Sequence, residues 1–205
     1  MNMKEYLQVK DYTYLEYCDY LQKKYGIGLS DYMTKSWNKN PKCTRTKDGL
    51  LAHHKMENTM IMLSAKEVAM ICPFKWQSKE NIVYCDYLEH LLLHILICKY
   101  PSPSKIKGVD VGIGGVVNFL VPELNDLYSG RETSQKWRKT CHDKVANDKD
   151  VYMALLKQFV DNEKDRSDLN IEVLFSSFSE SYGTWDSKKN TPLYREISNL
   201  FNLRG

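Results

Sequence analysis

The stretch Tyr87–Tyr100, YLEHLLLHILICKY, is apolar on nearly every face of a helix and is closed by Pro101 and Pro103. A helix of that kind is stable in water only when other elements cover it, so the stretch predicts a buried helix. Two of the chain's five histidines, His90 and His94, stand inside it. Burying a polar ring without a partner costs on the order of 1–3 kcal/mol. A backbone group, a water or a metal ion must therefore satisfy those rings.

The 205 residues are 42% apolar, enough to bury a sizeable core in one domain or one domain with an appendage. A net charge of +3 is too small to mark a nucleic-acid binder by itself, so only its distribution is informative. Six scattered cysteines without a CxxC suit reduced thiols in a cytoplasm better than a disulfide framework or a cysteine-ligated zinc site. No apolar leader is visible after Met1, and the longest apolar runs fall short of the ~18 residues that a membrane span needs. The expectation is a cytoplasmic protein without membrane contact.

The pattern along the chain predicts a helix from Thr13 to Gly26, with Tyr14, Tyr17, Leu21 and Tyr25 on one side, and a short helix after Ser30. GLLAHH (49–54) and NIVYCD (81–86) read as short strands. Ser64 and Glu67 have the spacing of a capping box, which places a short helix over 65–71. Beyond 103 the pattern is helical over 109–128, 148–163 and 190–201, with a polar, lysine-rich connection between the first two. Ile171–Phe175 reads as one more short strand. The class is α+β with a mainly α-helical remainder, divided as 1–44, 45–103 and 104–205.

Residues i and i+4 of a helix share one face about 5–6 Å apart, so His90 and His94 can grip one cation in the neutral form that ligates. A further ligand from the strand ending in His53 and His54 would make three and leave positions open, as catalytic metal sites do. Adjacent strand residues face opposite ways. His53 and His54 can serve one site only if the strand breaks there, so a turn is expected to start at His54 or Lys55. The competing reading is a set of core histidines hydrogen-bonded to carbonyls. His142, alone in a lysine-rich segment, reads as a surface residue, and Glu89 as an imidazole partner or an ion-pair member. Cys85 reads as a buried strand residue, and Gly112-Ile-Gly114-Gly115 as a site of close packing.

The order LLAHHK (50–55), NIVYCDYLEH (81–90) and HLLLH (90–94) resembles the HNH, or ββα-metal, endonucleases, most closely the colicin-like variant ending in His-x-x-x-His. The resemblance covers residues 45–100, with 26 residues between His54 and Asn81. It implies a small ββα-metal core in which His53, His90 and His94 bind one divalent cation, Mg²⁺ or Mn²⁺ before Zn²⁺ or Ni²⁺. His54 would be the general base, and Asn81 would hold the loop that positions it. The implied substrate is DNA, double-stranded in the first place. Independently of the resemblance, histidine is suited to take a proton from water near neutral pH, and a divalent ion to neutralise charge on a phosphodiester. Between 35 and 55 the chain carries Lys35, Lys39, Lys42, Arg45, Lys47 and Lys55 against the single acid Asp48, a bias suited to phosphate contact. The helical C-terminal region would bind DNA or a protein partner. The alternative function is an inactive, metal-stabilised module that binds nucleic acid or protein.

Overall fold

Asn2 caps a first helix, α1 (Met3–Val9), and Thr13 caps a second, α2 (Tyr14–Tyr25), in a reciprocal capping box with Glu16. Gly26, with φ of 83°, takes a backbone conformation that side chains rarely adopt, and ends α2. The computed structural model describes residues 1–175 and 187–202. After Ser30 the expected short helix does not form. The segment instead makes an isolated bridge between Met33 and Lys39, with Trp37 at a left-handed φ of 60° at its tip.

Strand β1 (Leu51–His54) is followed at once by a 3₁₀ turn over Lys55–Asn58, so the expected turn starts at Lys55, after both histidines. Helix α3 (Lys66–Met70) comes next, without the expected Ser64 cap. Ala65 stands at the N-cap position, and no side chain bonds the first turn. Two further 3₁₀ turns, Phe74–Gln77 and Lys79–Asn81, lead into β2 (Ile82–Cys85). The strands pair antiparallel, with Leu51 opposite Cys85 and His54 opposite Ile82. All four residues of β2 are buried, Cys85 among them.

Asp86 then starts α4 (Tyr87–Lys99) by capping it reciprocally with Glu89. The Glu89 carboxylate also meets Lys24 Nζ at 2.7 Å and the Tyr25 hydroxyl at 3.0 Å, so of its two expected roles it fills the ion pair. Leu88, Leu91, Leu92, Leu93, Ile95, Leu96 and Ile97 are all fully buried. Each contributes roughly 1.5–3 kcal/mol of burial free energy, which explains why so short a sheet can be held in place. Helix α4 is covered by α2 on one side and by the C-terminal helices on others.

Those helices are α5 (Ile113–Gly115), continuing through a π-helical turn at Val116–Leu120 into α6 (Val121–Tyr128), then α7 (Lys136–Asp143), α8 (Lys149–Asn162), α9 (Ile171–Phe175) and α10 (Ser187–Asn202). Three expectations are corrected here. Helix starts at Ile113 rather than near 109, because Gly112 at φ of 90° interrupts it. The lysine-rich connection folds into α7, which buries Cys141 and His142 while its lysines face water. Ile171–Phe175 is helical, and Leu174 O accepts a hydrogen bond from Asn125 Nδ2 of α6 at 3.1 Å. Five apolar-rich residues carry too short a period to separate strand from helix. The architecture is thus mainly helical with one two-stranded antiparallel sheet, compatible with an α+β class. No helix among the described residues is long and apolar enough to cross a membrane.

Candidate metal centre

The pleat of β1 sends His53 and His54 to opposite faces of the sheet, and both are buried to 1% exposure. His53 faces α4. Its Nδ1 lies 3.1 Å from His90 Nε2, and its ring centroid lies 5.1 Å from those of both His90 and His94. One helical turn separates the α4 pair, whose ring centroids are 5.0 Å apart. Each of the three residues offers a ligand nitrogen within 4.8 Å of the other two, a group that could hold a metal ion.

The hydrogen bonds around His53 fix which nitrogen is free. The Tyr14 hydroxyl, from α2, lies 2.9 Å from His53 Nε2 and 3.0 Å from the Lys55 carbonyl oxygen. A carbonyl only accepts, so the hydroxyl donates to Lys55 and receives Nε2–H from His53. The Nδ1 lone pair is then left pointing at His90. A partner of this kind fixes the tautomer of a metal-binding histidine. Among the described residues His90 Nδ1 is buried without a hydrogen-bond partner, so no carbonyl there holds this nitrogen. Burial pushes the His53 imidazolium down to about 3 and holds His90 and His94 below their usual range as well. All three rings are therefore neutral near pH 7, the form that ligates, and the donor set fits a divalent cation.

The unfolded chain takes up protons below pH 6.5 that the folded rings resist, His53 until about pH 3, so protons favour unfolding in that window. Glu57, held below the ordinary carboxylate range, adds to the same trend only under about pH 4.5. Cation-free protein is expected to lose thermal stability steadily from pH 7 to 5, by up to about 1.4 kcal/mol per pH unit for each ring kept neutral. A melting temperature that stays flat over that range would contradict the burial of neutral rings.

Glu57, unremarked as a site residue in the sequence, is carried inward by the 3₁₀ turn. Its Oε2 stands 3.6 Å from His53 Nδ1 and 3.5 Å from His94 Nε2, and its Oε1 3.7 Å from His54 Nδ1. His54 itself sits on the other face, against the Tyr32 ring. Its Nε2 lies 3.0 Å from Oε1 of Gln77, whose own Nε2 donates to the Leu63 carbonyl at 3.1 Å. That second bond orients the amide, so His54 Nε2 carries a proton and Nδ1 keeps its lone pair, directed toward Glu57. Gln77 is fully buried. Asn81 does not touch His54. Its amide donates to the Lys75 carbonyl at 2.8 Å and to Ser78 Oγ at 3.3 Å, which ties down the turn that carries Gln77.

His54, Glu57, His90 and His94 open onto a cavity of about 680 Å³ whose far wall is formed by the segment 112–120 with Glu123 and Arg138. Gly115 approaches His94 so closely that a β-carbon there would lie 2.2 Å from its Nδ1, which is the close packing expected of the glycine run. Arg138 and His142 both contact Glu123, so His142 is buried against a hydrogen-bond partner 19 residues away rather than exposed. None of the six basic residues of 35–55 lines this cavity. Lys35 and Lys42 border a separate groove, where Lys35 lies 3.8 Å over the Phe74 ring, and Lys39 lies 5.2 Å over the Tyr32 ring. Arg45 is held by Asp48 at 2.8 Å and Lys55 by Asp19 at 2.9 Å, while Lys47 stands in the turn Thr46–Asp48 that packs against α7.

Comparison with family models, curated proteins and solved structures gave no match.

Proposed function

We propose that this chain is a metal-dependent endonuclease that hydrolyses phosphodiester bonds of DNA, with β1, β2 and α4 forming an HNH-type ββα-metal core. The observation that carries the reading is the pairing of two arrangements across one strand. Three neutral imidazoles converge on one face, and on the other His54 is locked in a single tautomer with a free Nδ1 turned to the same carboxylate. When bound, the cation supplies neutralisation of charge on the phosphorus oxygens and support for the leaving oxygen. His53, His90 and His94 hold it. His54 Nδ1 takes a proton from water as the water oxygen bonds to phosphorus and the ester P–O bond breaks. Gln77 holds His54 Nε2–H, and Asn81 holds the turn that carries Gln77. Three imidazoles suit Zn²⁺ or Ni²⁺ better than Mg²⁺ or Mn²⁺, which prefer oxygen ligands. The basic residues 35–55, above all Lys35, Lys39 and Lys42, serve as the DNA backbone contacts, and the C-terminal helices as a surface for a protein partner.

The second reading, a metal-stabilised binding module without turnover, draws on the lining of the cavity. Arg138 is its one lysine or arginine, and that residue is already paired with Glu123. Incubation of supercoiled plasmid with Mg²⁺, Mn²⁺, Ni²⁺ or Zn²⁺, beside a chelator control, separates the two. Cation-dependent cleavage abolished by chelation is expected. A rise in melting temperature with no cleavage under any cation would favour the binding module.

Gln77 supplies a finer test. Gln77→Leu removes the acceptor that orients His54 and is expected to slow cleavage roughly 10–100-fold with cation content unchanged. Gln77→Glu keeps an acceptor there and should retain more activity, with its pH–rate profile moved upward because a carboxylate favours the imidazolium. Equal activity of parent and Gln77→Leu would remove Gln77 from the account.

A further inference from the structure

The 3₁₀ turn after β1 gives Glu57 surroundings unlike those of Asp86, Glu89 and Glu123. Asp86 caps a helix, Glu89 pairs with Lys24, and Glu123 pairs with Arg138 and His142. Glu57 has its side chain reduced to 16% exposure, and among the described residues no lysine or arginine reaches it. Its nearest polar neighbours are imidazole nitrogens at 3.5, 3.6 and 3.7 Å. Two of those, His53 Nδ1 and His94 Nε2, belong to the converging histidines.

His53 Nδ1 and Glu57 Oε2, 3.6 Å apart, are an acceptor facing an acceptor. The tautomer set by Tyr14 leaves His53 Nδ1 as a lone pair, and the carboxylate oxygens are lone pairs as well. Acceptors brought together in a largely buried site repel one another unless a positive charge stands among them. Their separations have the scale of ligand-to-ligand edges around one ion: ligands at about 2.1 Å in four- or six-coordinate geometry stand about 3.0–3.4 Å apart. His53 Nδ1 to His90 Nε2 is 3.1 Å, and Glu57 Oε2 is 3.5–3.6 Å from the nitrogens of His53 and His94.

We infer that Glu57 is a further ligand of the cation held by His53, His90 and His94, so that the centre is three imidazoles and one carboxylate with a net charge of +1. The inference rests on the metal reading of the histidines and is independent of the nuclease chemistry. It makes the 3₁₀ turn part of the centre, and the same side chain then links the centre to His54 through Oε1.

The test uses the full chain, stripped with a chelator, as parent, Glu57→Gln, Glu57→Ala and His90→Ala. Zn²⁺ affinity is read by competition with a chromogenic chelator, and the visible absorption of Co²⁺ reports the ligand field. Circular dichroism melting of the cation-free proteins confirms that each variant folds. Both Glu57 variants are expected to bind Zn²⁺ 10–100-fold more weakly than the parent, with a changed Co²⁺ spectrum, and His90→Ala to lose more. Parent-like affinity and spectrum in both Glu57 variants would overturn the inference while leaving the histidine centre standing. Unchanged Zn²⁺ affinity with a gain in binding of inorganic phosphate would also overturn it, showing that the carboxylate occupies the place of a substrate oxygen. A parent that binds no cation at all overturns the metal reading and this inference together.

Discussion

His54→Ala protein is expected to fold and to load its cation like the parent, yet to cleave plasmid about 10²–10⁴-fold more slowly, the usual contribution of a general base. His53→Ala should fail differently. Its Nδ1 faces His90 at 3.1 Å, so its removal weakens cation binding first, and excess cation should partly restore cleavage. Two adjacent residues can behave so differently because the pleat of β1 sends them to opposite faces. His54 meets Gln77 and Tyr32, and His53 meets Tyr14, His90 and His94. Cation content and cleavage rate measured on the same preparations decide the matter. Loss of the cation by His54→Ala with retention by His53→Ala would reverse the two roles, and parent-like cleavage by both would remove the nuclease reading.

Gly115→Ala is the second variant with a large expected effect, although it touches neither a histidine nor the base in sequence. A β-carbon at Gly115 would fall 2.2 Å from His94 Nδ1 and 2.3 Å from its Cε1. The ring must swing away, which carries Nε2 out of reach of Glu57 and His53. Replacing a helical glycine by alanine ordinarily stabilises by up to about 1 kcal/mol. The cation-free protein should therefore melt near the parent temperature while cation affinity falls at least about 10-fold, as it does when the support of a ligand is lost. Gly114→Ala is the control, because its nearest new contact would be Asn118 Nδ2 at an ordinary 3.7 Å. Equal cation affinity in Gly115→Ala and Gly114→Ala would contradict the placement of His94.

What could be read from the sequence follows the range of the interactions concerned. The helix at Tyr87–Lys99 was legible because an all-apolar face pattern admits only burial, and His90 with His94 because their spacing is a property of the helix itself. The break after His54 was legible from the pleat once both histidines were assigned to one site. Gln77 and Tyr14 were not, since each reaches its histidine across 23 or 39 residues of chain through a single hydrogen bond that leaves no periodic trace. Glu57 was hidden for a different reason. It faces the histidines only because the strand gives way to a 3₁₀ turn, and a continued strand would send it elsewhere. His142 read as exposed because its neighbours are lysines, whereas its burial depends on Glu123 on another helix. The segment Ile171–Phe175 was read as a strand because its few apolar residues fit either period, and α6 and α10 decided for helix.

The most direct test of a metal centre at this position is an anomalous difference map from crystals grown with Zn²⁺ or Mn²⁺, recorded on both sides of the absorption edge. The account predicts one strong peak among His53 Nδ1, His90 Nε2 and His94, present above the edge and absent below it. A clean map at that position, with the cation bound elsewhere or not at all, would contradict it.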